Sequence, residues 1–431
     1  MRQSNDDNFP FVSVPGVSRE CAAGWDNIAR ELLRAIAKSR AEKPVIVVEC
    51  YPGVDELAVF KELQSRLGPT LAIRATEAFH STEKIDAMVA PHLRSADRYQ
   101  RRTPNPARRL SLVNFFDAEP LWRFRRTIDE LKGGLVLIVG CGASLIAWGD
   151  VLVHADLARR EARQRFHRNE TGNVGVDNKS APATLKHHRA SAIDWPMADR
   201  WKRPLIKRWD YVLDTNNASE PKMADAADVR RGFQAATKRP FRVVPACDAV
   251  GETENSGLNL DGILEENSLL LVFDGLRIEV PAVDLVFYQP KALLGEAVHN
   301  RFGYEMPIGF DALDNIRNVS ELLAHGDGWR EERLAWDDRP SVEMRRLWFT
   351  KQIAQETRGG VNIWKLIEGA EAIIESPVRA FEPVVVYPAE TIIVPAAVGR
   401  YNIRPHGLSA GTEIAALKAS VRIPSYGNPM P

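Results

Sequence analysis

Cysteine is scarce in this 431-residue chain: Cys21, Cys50, Cys141 and Cys247 are scattered, and no CxxC pair occurs. That spacing excludes a zinc ribbon and a disulfide framework. Cys50 and Cys141 each follow a strongly apolar run, which suits buried, inert thiols. Net charge is missing too, since 57 Lys+Arg balance 57 Asp+Glu. The field of the whole molecule therefore offers no attraction for nucleic acid or an acidic membrane surface. No apolar run is long enough to cross a bilayer, and the longest, residues 134–148, is broken by glycines. The first 17 residues lack a basic segment leading into an apolar one, so no signal peptide is expected and the cytoplasm is the expected location. Internal repeats and low-complexity tracts are also absent.

A 45% hydrophobic and 26% charged composition places the chain among folded globular proteins. Its length leaves room for two or three domains. The first part alternates strands and helices. WDNIARELLRAIAK (25–38) carries Ile28, Leu32, Leu33 and Ile36 on one helical face. The buried-type strand VIVVEC follows, then the turn YPGVD, a helix over 56–67 and a strand near 71–73. Later come a helix over 119–131, the strand LVLIVG, the strand DVLVHAD, a helix over 157–168, the strand WDYVLDT, a helix over 224–238 and a closing strand FRVVP. This rhythm predicts a doubly wound parallel sheet over residues 1–245.

From about residue 267 the pattern changes to short apolar or alternating runs punctuated by glycine and proline, which predicts an antiparallel sandwich or barrel. Residues 291–302 read as a helix, and the polar stretch 311–340 as a linker. The expected organisation is an α/β domain over 1–245, a connecting segment over 246–325 and a β domain over 326–431.

Three segments could carry chemistry. LVLIVGCGASLI places Gly140 and Gly142 between a strand and a helix, where backbone N–H groups can face a phosphate. It lacks the GxxxxGK[ST] spacing and a third glycine, so a structural turn is the favoured reading. YPGVD is similarly placed with the same weakness. The stretch Leu185 to Arg208 combines nine Lys, Arg and His residues with Trp195 and Trp201. Arg200, Lys202 and Arg203 are its candidate ligands for a phosphorylated small molecule. A salt-bridged surface is the competing reading, because Asp194, Asp199 and Asp210 lie within reach. His187 and His188 are adjacent and make a poor metal pair. The turn-rich run 168–180 reads as a loop over the strand ends, where α/β sheets bind ligands.

FEPVVVYPAETIIVPAAVGRYNIRPHG (381–407) has the layout of a cupin's second conserved hairpin: an acidic residue, apolar residues, Pro, Gly, and a strand ending in His. With GGVNIWKLIEGAEAIIES, GTEIAALKASVRIP, GDGWREERLAWDDRPSVEMRRLWFT and residues 265–314, it resembles bacterial class I mannose-6-phosphate isomerase-like proteins. The likeness extends more loosely through ECYPGVD, VGVDN, DWPMADRWKRPL, LDTNNASEPKM and KRPFRVVP. In the long relatives that N-terminal domain resembles a degenerate kinase module.

The resemblance implies an α/β domain followed by a cupin-like β domain, and an ancestry in mannose 6-phosphate/fructose 6-phosphate interconversion. It also implies a divalent metal, typically zinc, held by a Gln-x-His-Pro pair, a Glu and another His. No Gln-x-His-Pro occurs here, and Asp314 runs through NIRNVSELLAH directly into GDGWREER. Isomerase turnover is therefore expected to be impaired and zinc to be missing. Glu390 and His406 are the only hairpin residues left as candidate metal ligands; the catalytic residues are not legible. Two alternatives stay open: a non-catalytic sugar-phosphate or nucleotide binding protein, and a scaffold or partner subunit, including a homo-oligomer.

Overall fold

The computed structural model describes residues 11–17, 21–39, 41–98, 110–243, 267–273, 276–295, 320–334, 342–388 and 390–421. Two short strands, β1 (Phe11–Ser13) and β2 (Ala22–Ala23), precede helix α1 (Trp25–Ser39). The chain then runs through β3 (Val45–Cys50), α2 (Glu56–Leu67), β4 (Leu71–Arg74), α3 (Thr82–Arg98), α4 (Ala118–Glu130) and β5 (Val136–Gly140). After these come the single turn α5 (Ala143–Ile146), β6 (Val151–Asp156), α6 (Arg159–His167), α7 (Ala183–Arg189), α8 (Trp195–Leu205), β7 (Tyr211–Asp214), β8 (Lys222–Asp225) and α9 (Ala226–Ala236).

Seven of these strands form one sheet in the order β2-β8-β7-β6-β3-β5-β4. The five from β7 to β4 are mutually parallel, and β8 and β2 add antiparallel strands at one edge. Every residue of β3, β5 and β6 is buried, as continuous apolar runs demand when both sheet faces are covered. Helix α2 shows how locally its limits are set. Asp55 accepts the Ala58 N–H at its start, and Gly68 closes it in the left-handed region at φ 56°. Ile28 and Leu32 of α1 and Val59 and Leu63 of α2 join Val48 and Val153 of the sheet in one apolar core.

The second compact unit contains residues 230–271 and 281–431. Its strands are β9 (Phe241–Val243) and the first four residues of β10 (Ser268–Phe273), then β12 (Ser320–Gly326), β13 (Trp329–Leu334), β14 (Val342–Phe349), β15 (Ile353–Glu356) and β16 (Asn362–Glu368), while β11 (Leu276–Pro281) belongs, but for Pro281, to the first unit. β17 (Ala372–Glu375), β18 (Val384–Val386), β19 (Thr391–Val394), β20 (Arg400–Pro405) and β21 (Ile414–Val421) complete it. A seven-stranded sheet, β12-β13-β14-β21-β16-β19-β9, and a four-stranded sheet, β15-β20-β17-β18, are both antiparallel. Leu347, Phe349, Trp364 and Ile392 of the larger sheet share a core with Ile353, Ile374, Tyr401 and Ile403 of the smaller one. That is a sandwich.

The α/β-then-β architecture expected from the sequence is present, but four local readings need correction. FRVVP does not close the α/β sheet: Phe241, Arg242 and Val243 pair antiparallel with Ile393, Ile392 and Thr391. The 224–238 segment opens as strand β8 before turning helical at Ala226. Within the 311–340 "linker", β12 and β13 form a hairpin, with Gly328 in the left-handed turn at φ 77°. The compact units also cross the expected 1–245 and 326–431 limits, because residues 272–280 belong with residues 16–229. Of the helix expected over 291–302, residues 290–294 are helical, and the remainder past 295 lies outside the described residues, as does most of the 246–325 segment.

Candidate functional site

The strand order reverses at β3, whose neighbours β5 and β6 lead away in opposite directions. In open α/β sheets the carboxyl ends of such strands form the ligand crevice. Here that crevice is filled by the protein itself. Glu49 of β3 accepts hydrogen bonds from the Gly142 N–H, the Ser144 N–H at 2.9 Å and the Ser144 hydroxyl. Glu56 accepts the Cys141 N–H at 2.8 Å. The glycine turn after β5 thus spends its N–H groups on two carboxylates of the same chain. Burial raises the Glu49 pKa despite these donors, and raises that of Glu56 to about 7. The turn is structural, as the missing lysine and third glycine suggested.

The YPGVD loop is closed in the same way. Gly53 has φ 108°, and a Cβ there would meet the Ala162 Cβ at 2.8 Å. Arg165 donates to the Gly53 carbonyl at 3.1 Å and to the Thr215 carbonyl. Helix α6 therefore packs directly on the loop. A cavity of about 10 Å³ is all that remains between Glu49, Tyr51, His154, Trp201 and Lys202, room for about one water.

The basic stretch is partly interior: Lys186, Arg189 and Lys202 are buried, whereas His188, Lys207 and Arg208 are exposed. Residues 183–205 form one helix with a π turn at Ala190–Asp194. Lys186 is fully buried and holds the Phe166 carbonyl at 2.8 Å and Asn169 at 3.0 Å. Arg189 reaches Asp86 and the Val174 carbonyl, each at 2.8 Å. Asn173, in the loop expected over the strand ends, donates to Asp194 of the π turn at 2.8 Å. That loop is pinned to the helix.

Of the three expected ligands, Lys202 turns inward and ion-pairs with Asp156, its ammonium 5.0 Å from the Tyr51 ring centre. Burial alone would raise the Asp156 pKa, but Lys202 and then His154 hold it down to about 2. His154 donates from Nε2 to Asp156 at 2.9 Å and stacks on Trp209 at 4.2 Å. Burial, then Lys202, keeps this imidazole below its ordinary pKa. Asp199 accepts from Tyr51 at 2.9 Å and from Arg159 at 2.6 Å. Arg200 is half-buried and donates to the Leu110 carbonyl at 2.6 Å, and Arg203 lies one turn further on. The three do not form one exposed patch.

The candidate metal pair fares no better. Glu390 pairs with Arg242 at 3.0 Å and accepts the Tyr387 N–H at 2.9 Å. His406 follows β20, its N–H bonded to the Glu371 carbonyl at 3.1 Å. Among the described residues no group of three His, Cys, Asp or Glu is placed to hold a metal, and catalytic zinc takes three protein ligands. The described residues do not fit the zinc that the isomerase resemblance implies. His325 lies on the β12–β13 hairpin, and His299 is outside the described residues.

A concavity lies in the sandwich unit, in a place the sequence reading missed. It encloses about 470 Å³ and is lined by Arg231, Lys238, Arg239 and Arg379, with Phe381, Gln234 and one carboxylate, Glu382. Arg379 sits in the left-handed region at φ 56°, in a turn held by the Ser376 carbonyl and hydroxyl at 3.2 and 2.9 Å. Burial lowers the Arg239 pKa from its ordinary value, so this guanidinium is partly stripped of water. The run RRGFQAATKRP (230–240) held the available signal, four cations at the end of a helix.

No curated protein matches the chain. Among solved structures, a candidate mannosephosphate isomerase from Archaeoglobus fulgidus is 14% identical, with a TM-score of 0.17 over 20% of this chain and 25% of that one. The matched segment thus spans a quarter of that protein. A cupin superfamily protein from Desulfitobacterium hafniense is 17% identical, with a TM-score of 0.18 over 23% of this chain and 82% of that one. Ectoine synthase from P. lautus gives 14%, 0.20, 25% and 72% for the same quantities. The sandwich is read from its own antiparallel strand pairing. Residues 24–238 match the family model described as "Domain of unknown function (DUF8485)".

Proposed function

We propose that this protein binds a phosphorylated small molecule without isomerising it, as a cupin-like relative of mannose-6-phosphate isomerases. The observation that carries this reading is the 470 Å³ cleft, where four cationic side chains face one carboxylate. Guanidinium groups recognise phosphate through paired, charge-assisted hydrogen bonds. The volume suits a ligand of sugar-phosphate size. Phe381 supplies an apolar wall. Turnover would need a Lewis acid or a poised base at the sugar carbons, and the cleft lining contains no His and a single carboxylate.

The test is thermal unfolding titrated with mannose 6-phosphate, fructose 6-phosphate and inorganic phosphate. A rise in Tm with the sugar phosphates is expected, abolished in Arg239→Gln and Arg379→Gln and kept in Arg200→Gln. An equal rise in all four proteins, or none in the wild type, would defeat the proposal. Isomerase assays with and without added zinc should show no turnover.

A further inference from the structure

The helical wall of the cationic cleft spreads its charge along a defined length. Arg231 lies on α9, and a hydrogen bond from the Lys238 N–H to the Ala235 carbonyl at 3.2 Å carries the helical turn on to Lys238. Arg231, Gln234, Ala235 and Lys238 follow the i, i+3, i+4, i+7 pattern of one helix face, and all four line the cleft. Seven residues separate the backbones of Arg231 and Lys238 by about 10 Å along the axis. Arg239 sits beside Lys238, so this wall has two cations at one end and Arg231 at the other. A phosphate within hydrogen-bond reach of Lys238 and Arg239 leaves Arg231 two helical turns away.

The charge count agrees. The lining holds four cations and one carboxylate, an excess of three positive charges. A phosphate monoester brings at most about two negative charges near neutral pH, and a bisphosphate up to about four. The side chains of Lys238, Arg379 and Glu382 make no hydrogen bond or ion pair with the described residues. The cations among them are open to a ligand, and so is the carboxylate. A carboxylate repels phosphate but accepts from hydroxyl groups, so a ligand that suits this lining carries hydroxyls as well as phosphates.

We propose that the ligand of the cleft is a sugar bisphosphate, with one phosphate at Lys238, Arg239 and Arg379 and the second at Arg231. This inference rests on the reading of the cleft as a phosphate site and narrows its ligand class. Gln234 lies between the two ends on the same helix face, and with Glu382 it meets the sugar hydroxyls. The spacing selects for the distance between the phosphates, not for charge alone.

The test is calorimetric titration of the full-length chain at constant ionic strength with fructose 1,6-bisphosphate, fructose 6-phosphate and pyrophosphate. Pyrophosphate brings two phosphates on a far shorter span. Fructose 1,6-bisphosphate should bind at least about tenfold more tightly than either of the others. Arg231→Gln should erase most of its advantage over fructose 6-phosphate. The wild-type ratios decide the matter even if that variant folds poorly. Equal affinity for the two sugar phosphates, or a preference for pyrophosphate, would overturn this inference and leave the cleft as a simpler phosphate site. Heat from none of the three would overturn it together with the reading it rests on.

Discussion

Arg345 and Lys418 stand opposite each other on neighbouring antiparallel strands, two cations on one inner face. Burial first, with Arg345 adding to it against Glu331, disfavours the Lys418 ammonium in the native state, and its pKa falls from 10.5 to about 8. That penalty is complete below pH 8 and is relieved as pH rises toward 10.5. Lys418→Met should raise stability at pH 7 by about 2 kcal/mol, net of the lost Gln355 bond. It should also remove the wild type's gain in stability between pH 8 and 10.5. Urea unfolding across that range is the measurement.

Lys202 and Asp156 are each almost fully buried, at 2% and 1% exposure. Removing one partner leaves the other charged in the core. Lys202→Met should cost about 3–5 kcal/mol, and adding Asp156→Asn should recover a substantial part. Equal costs for the single and double variants would show that the pair is not the source. The cleft's sugar-phosphate response should survive Lys202→Met wherever the variant remains folded.

Glu56 and Asp156 predict opposite pH behaviour. The Glu56 pKa is raised in the native state to about 7, so its contribution is complete below about pH 4.5 and is lost as pH climbs to 7. The side chain is half-buried, which limits the effect to about 1 kcal/mol. Glu56→Gln should flatten stability between pH 4.5 and 7 and gain about that amount at pH 8. The Asp156 pKa is lowered from 3.8 to about 2, so its contribution is present above 3.8 and is lost below it. Acid unfolding should begin there, and Glu56→Gln should leave that limb in place.

Gly142 has φ 79°, and a Cβ there would lie 2.6 Å from the Phe116 ring. Gly142→Ala should destabilise the α/β unit by about 2 kcal/mol or more, from strain and overpacking together. Gly68→Ala, at φ 56° with open space around it, should cost less. Thermal scans of the two variants would separate crowding from backbone strain.

The elements most legible in the sequence were those whose signal is local. The helix over 56–67 was read to the residue, because Asp55 and Gly68 mark its ends. VIVVEC declared itself a central strand by being apolar throughout. Phe241–Val243 was misplaced because so short a strand says nothing about which sheet will pair with it; that depends on Thr391–Ile393, about 150 residues later. The basic stretch misled for another reason. Charge is visible in a sequence, but whether Lys186 and Lys202 point out or in depends on Phe166, Asn169 and Asp156, brought close only by the fold. The cleft eluded the reading because its two halves, Arg231–Arg239 and Arg379–Glu382, lie far apart in the chain.

The pairing of β9 with β19 also governs how this chain can be cut. A fragment beginning after residue 245 carries most of the larger sheet but leaves one side of Thr391–Ile393 without its backbone partner. That strand reads TIIV and is buried along its length, so its bare margin would recruit any extended chain that reached it. A fragment meant to stay monomeric in solution should therefore begin upstream of Phe241, carrying its own edge protection with it.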